Sequence, residues 1–92
     1  MGYSFEWDPK KAASNLRDHG VSFDEATTVF GDHLALNMPD LDHSDGEQRF
    51  LVLGMSSRSR LIVVAYAERA PNTRIISARI VTPTERREYE NE

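Results

Sequence analysis

Cysteine is absent from this 92-residue chain, which excludes both a disulfide framework and a thiolate metal centre. Long apolar runs are missing too, and none of those present approaches the roughly 20 residues needed to cross a bilayer. The chain opens Met-Gly-Tyr-Ser-Phe with no apolar leader, so a reducing cytoplasm and no membrane partner are expected. There is no excess of positive charge. The formal net charge is −4, which argues against a simple cationic binder of nucleic acid. Internal repeats and low-complexity tracts are likewise lacking. What is there, 39% hydrophobic and 28% charged residues, is the composition of a soluble globular chain, read as one domain over residues 1–92 with a single two-layer core.

The charge is polarised along the sequence. Residues 1–57 hold four Lys/Arg against ten Asp/Glu, whereas residues 58–92 hold seven against five. Between Arg58 and Thr82, five arginines (Arg58, Arg60, Arg69, Arg74 and Arg79) face Glu68 alone, a balance of +4. The cationic part coincides with the strongest strand signals.

Phe5 to Trp7 reads as a short strand. Asp8-Pro9 then announces a helix, with Asp at the N-cap and Pro at the first helical position, and Gly20 is its stop. Ser22 and Glu25, spaced as a capping box, open a second helix that Gly31 closes. Leu34 to Met38 is a strand, followed by the acidic loop from Pro39 to Gly46. Three apolar runs follow, Arg49 to Met55, Leu61 to Ala67 and Arg74 to Val81. Turn formers separate them too closely for anything but antiparallel hairpins. Thr82-Pro83-Thr84-Glu85 combines a capping box with Pro at the first position of a last helix. The order is β-α-α-β-β-β-β-α, an α+β fold with a largely antiparallel sheet, helices on one face and the other partly open.

The alternation of a strand points Ile76, Ala78 and Ile80 one way, toward a core, and Ile75, Ser77 and Arg79 the other. A guanidinium on an open sheet face offers phosphate a planar fork of donors. The acidic loop does not fit a calcium loop. Counted from Asp40, the sixth position is Asp45 rather than Gly and the twelfth is Leu51, so a polar turn is expected. His19, His33 and His43 share no ligand spacing. No metal and no cofactor are assigned. His19, ending the first helix, suits the helix dipole, with proton transfer as the alternative. Lys10 and Lys11 sit near the positive end of that dipole and either meet an anionic partner or pair in solvent with Glu6 and Asp8. Glu68 or Arg69 is expected to pair across strands with Arg74 or Thr73, Glu85 with its capping box, and Arg86 and Arg87 with Glu90.

Taken together, Phe5-Glu6-Trp7-Asp8-Pro9, Lys11, Asn15, His19-Gly20-Val21, Phe23 and Ala26 resemble the opening of the BrnT toxins. Glu47, Arg49, Gly54, Glu68-Arg69, Ile75-Ile76-Ser77-Ala78-Arg79 and Glu85-Arg86-Arg87 continue that pattern in order, as far as Tyr89. Asp18 departs from it, standing where a basic residue is common. The resemblance implies a RelE-like fold and a type II toxin that cuts RNA. It also implies neutralisation by a BrnA-type antitoxin, which itself contacts the operator DNA. RNA supplies its own nucleophile, the 2′-hydroxyl, so such an enzyme must position the chain, move protons and stabilise charge on phosphorus. Arg79 is the principal candidate for charge stabilisation, with Arg69 beside it. Glu68 is the first candidate proton acceptor and His19 the second. Lys11, Arg58, Arg60, Arg74 and Ser77 are the candidate RNA contacts. The antitoxin is expected to cover the open sheet face and hide Arg79. A module that binds without cutting and acts as co-repressor is the alternative.

Overall fold

Asp8 accepts a hydrogen bond from the Lys10 backbone N–H (2.9 Å) and so caps a helix that begins at Pro9, α1 (Pro9–His19). Gly20 ends it with φ 69°, a left-handed conformation that costs glycine little, and donates its N–H to the Leu16 carbonyl. The computed structural model describes residues 4–43 and 46–91, so Ser44 and Asp45 of the acidic loop lie outside the described residues. Before α1 comes β1 (Phe5–Glu6). After it come α2 (Phe23–Thr28), a 3-10 turn Val29–Gly31, β2 (Leu36–Pro39), a second 3-10 turn Leu41–His43, β3 (Arg49–Met55), β4 (Leu61–Arg69), β5 (Asn72–Ile80) and α3 (Pro83–Glu90).

The strands form one sheet in the order β1-β5-β4-β3-β2, antiparallel except for the parallel pair β1 and β5. On one face Val21, Phe23, Ala26 and Val29 pack against Val52, Ile62, Val64, Tyr66, Ile75 and Ala78, and this is the core. Aromatic rings close its rim. Phe30 stands edge-on to Tyr66 with centroids 5.0 Å apart, and Phe50 stacks on the other side of Tyr66 at 5.6 Å. Gly54 lies under Val29 and Ala35, where a Cβ would come within about 3 Å of both, so the 3-10 turn can sit tightly on β3.

Several local expectations are corrected by packing. Strict alternation along β5 fails at Ile76. Tyr66 pairs with Ile75 and the preceding Ala65 with Ser77, so Ile76 is the extra residue of a bulge. Ile75 and Ala78 therefore both enter the core, while Ile76 turns out beside Ser77. The capping box of α2 is half formed. The Ser22 hydroxyl accepts from the Glu25 N–H (3.0 Å), but the Glu25 carboxylate turns inward to Ser56 and Arg60. β2 starts at Leu36 rather than Leu34, because the Asp32 carboxylate takes the Leu34 N–H (2.9 Å) in a side-chain turn that delays the strand.

Among the described residues β1 covers β5 only at Thr73 and Arg74, which leaves the rest of that edge without a strand. Asn15 of α1 takes the strand's place. Its amide donates to the Ala78 carbonyl (2.8 Å) and the Val21 carbonyl (2.9 Å), and its oxygen accepts from the Ala78 N–H (3.1 Å). At the other end of the chain Thr82 and Glu85 form the full capping box of α3. Tyr89 then donates to Asp32 Oδ2 (2.6 Å), which also accepts from the Met55 N–H (2.7 Å) and so ties α3 to the end of β3. That phenol is pushed up to about 12, chiefly by its bond to the Asp32 carboxylate.

Candidate active cleft on the second sheet face

The sheet face away from α1 and α2 is not bare. Leu53 and Leu61, placed on it by register, are each 2% exposed, and α3 contacts β3. Beside the 3-10 turn Leu41–His43 a cleft of about 430 Å³ remains. Its floor is Leu51, Val63, Ala65 and Ile76, and its polar groups are Asp40, Asp42, His43, Arg49, Ser77 and Arg79.

Arg79 is held by its neighbour in the chain. Its two terminal nitrogens donate to the two Glu85 oxygens at 2.8 and 2.9 Å, and Nη1 also donates to the Ile80 carbonyl (3.3 Å). A guanidinium has five N–H donors. Among the described residues, its Nε–H and second Nη2–H have no partner, and together these form the side-on fork that matches two phosphate oxygens. Glu85 thus does more than cap α3: it fixes the plane of Arg79 while leaving one edge of it available. Bonding to Arg79 first, and to Thr82 after it, holds the Glu85 carboxyl down at about 2 against the opposing effect of burial. Because this folded-state value lies below the ordinary 4.5, the stabilisation is present above that value and lost as pH falls toward 2. Thermal melts of Glu85→Gln should lie below the parent at neutral pH. The gap should close as pH drops from about 5 to about 2, since a protonated Glu85 resembles Gln.

Most of the other residues singled out in the sequence lie outside the cleft. Lys11, Asp18 and His19 line a smaller hollow of about 220 Å³ against α1, which shares Ile76 and Ser77 with the cleft. The bulge at Ile76 joins the two. Arg69 lies across the sheet end in a two-pronged pair with Glu47 (2.6 and 3.1 Å) rather than with Arg74 or Thr73, and Arg74 pairs with Glu6 (3.0 Å). Arg60 is structural: it reaches the buried Glu25 carboxylate and the Gly20 carbonyl (3.0 Å), and Ser56 completes that site. Arg58 is exposed at the turn between β3 and β4. Arg86 pairs with Glu90 (3.6 Å), while Arg87 bonds Thr84 (3.3 Å).

Glu68 lies on the wrong side. It follows Tyr66 by two residues and faces Thr73, whose hydroxyl donates to it (3.1 Å), in a hollow with Phe30, Asp32, His33 and Asn37 on the helix-covered face. Arg79 and Glu68 therefore point to opposite faces and cannot act on one phosphate. In place of Glu68 the structure brings His43 into the cleft with Arg79, with Nδ1 at 3.2 Å from both Asp40 oxygens. An acid and a histidine three residues apart in a loop were the sequence signal for that pair.

A small α+β chain with a polar cleft across its sheet is matched over residues 7–85 by the model of a family described as "Ribonuclease toxin, BrnT, of type II toxin-antitoxin system". The protein is thus a ribonuclease toxin of a type II toxin–antitoxin system. Specifically, the chain belongs to the BrnT family. The 1.1 Å crystal structure of the Brucella abortus ribonuclease toxin BrnT has the same fold, with a TM-score of 0.69 at 22% identity, covering 87% of this chain and 97% of that one. No curated protein sequence matches the chain.

Proposed function

We propose that this toxin is a RelE-like endoribonuclease that cuts mRNA in the bacterial cytoplasm without a metal ion, and that a BrnA-type antitoxin neutralises it by covering the cleft. The observation that carries this reading is the side-on fork of Arg79 left open in a cleft that also holds Arg49 and Ser77. The adjoining hollow brings Lys11 and His19 to the same Ser77. The two together suit a single-stranded chain that lies along α1 and presents one phosphodiester to Arg79. Attack by the substrate's own 2′-hydroxyl needs no protein nucleophile, and a fixed guanidinium stabilises the charge that develops on phosphorus. Operator DNA is reached through the antitoxin.

The binding-module reading keeps one observation in its favour. Glu85 neutralises Arg79, and Asp40 and Asp42 line the same cleft, so its field is not strongly cationic. Inducing the chain without its antitoxin separates the two readings. Growth arrest with fragmented mRNA, and undiminished cleavage by the purified protein in excess chelator, are expected. Normal growth with intact RNA would favour the co-repressor.

A further inference from the structure

Of the two proton acceptors expected from the sequence, Glu68 faces the far side of the sheet and His19 lines the adjoining hollow rather than the cleft. We propose that His43, oriented by Asp40, is the general base of the cleft, an assignment that rests on the ribonuclease reading. Asp40 is itself anchored: its backbone N–H donates to the Arg49 carbonyl (2.8 Å), and its carbonyl accepts from the His43 N–H (3.3 Å), closing the 3-10 turn. Its side chain is 13% exposed and that of His43 66%, so the carboxylate forms the wall and the ring projects from it. A carboxylate on Nδ1 fixes that nitrogen as the donor, which leaves the Nε2 lone pair outward. The charged groups that line the cleft together with the ring are Asp40 and Asp42 of its own turn, Arg49 of β3 and Arg79 of β5. Asp40 supports the imidazolium that forms, and the open edge of Arg79 serves the phosphate.

The step balances without a co-reactant. Nε2 of His43 takes the proton of the 2′-hydroxyl, and the 2′-oxygen forms a bond to phosphorus. The P–O5′ bond breaks with its electron pair on the 5′-oxygen, which takes a proton from water. The imidazolium returns its proton to the hydroxide so formed. The products are a 2′,3′-cyclic phosphate and a 5′-hydroxyl. His19, in the adjoining hollow, contacts the substrate chain and not the reacting hydroxyl.

The test compares the parent, His43→Ala, His43→Gln and Asp40→Asn on one RNA oligonucleotide across pH, with and without added imidazole. The exposed ring makes both His43 variants folded by circular dichroism. Their kcat/KM should fall by about a hundred- to ten-thousand-fold, and imidazole should restore part of the rate to His43→Ala but none to His43→Gln, whose side chain fills the space. Asp40→Asn should lower kcat more than it raises KM. Equal cleavage by parent and His43→Ala would overturn the assignment and leave the ribonuclease reading standing. Loss without rescue by imidazole would assign His43 a structural role and overturn it too. A parent that does not cut RNA would remove the ribonuclease reading, and His43 with it.

Discussion

Arg79→Ala should cut RNA about a hundred- to a thousand-fold more slowly than the parent while remaining folded. The size follows from what the side chain is placed to do. A donor pre-set toward developing charge contributes in the transition state without reorganising, and Glu85 holds this one in a single plane. Stability should change little, by about 1 kcal/mol or less, because the pair is partly solvated and Glu85 keeps its bond to the Thr82 N–H (2.8 Å). Arg79→Lys should recover little of the rate, since a point charge cannot reproduce a side-on fork. The measurement is single-turnover cleavage beside a thermal melt. Parent-like rates from folded Arg79→Ala would remove Arg79 from the mechanism.

The largest effect on stability is expected at Asn15. Asn15→Ala deletes three hydrogen bonds at once and strands the Ala78 N–H and carbonyl and the Val21 carbonyl, all at the joint between α1 and the uncovered edge of β5. Unsatisfied buried groups cost about 1–3 kcal/mol each. Water can reach part of an edge, so the net loss should be on the order of 3 kcal/mol, or roughly 15 °C in Tm for a domain of this size. Asn15→Asp should be no better: it keeps an acceptor for the Ala78 N–H but aims a carboxylate at two carbonyls. A shift of a few degrees in either variant would mean that α1 is held by its apolar contacts alone.

Local chemistry was legible in the sequence, and distant chemistry was not. Asp8-Pro9, Gly20 and Thr82-Pro83-Glu85 act within one helical turn, and each sets its helix end where the sequence places it. The hairpins of β3, β4 and β5 follow from turns too short for any other return. The bulge at Ile76 escaped because alternation is a rule for a strand by itself. Here the core claims both Ile75 and Ala78, and Ile76 is displaced to satisfy it. The roles of Glu25 and Glu85 were half visible. Each has a capping position in the sequence, yet each carboxylate meets an arginine that only the fold brings near, Arg60 from 35 residues away and Arg79 from a neighbouring strand end. The face of Glu68 is set by Tyr66, two residues before it, which enters the core, and a central strand that is apolar on both faces does not report which one the helices cover. His43 does not stand out in the sequence because its partner Asp40 lies in a loop, where no periodicity reports which side chains converge.

The claim at the centre of this account is that the nucleophile is the substrate's own 2′-hydroxyl, activated in the cleft around Arg79. It is tested most directly by mass analysis of the ends produced from an RNA oligonucleotide in excess chelator, beside the same oligonucleotide with 2′-deoxy sugars throughout. Attack by the 2′-hydroxyl should give 2′,3′-cyclic phosphate and 5′-hydroxyl ends from the RNA and no cutting of the deoxy strand. Ends bearing a 5′-phosphate, or cutting of the deoxy strand, would contradict it.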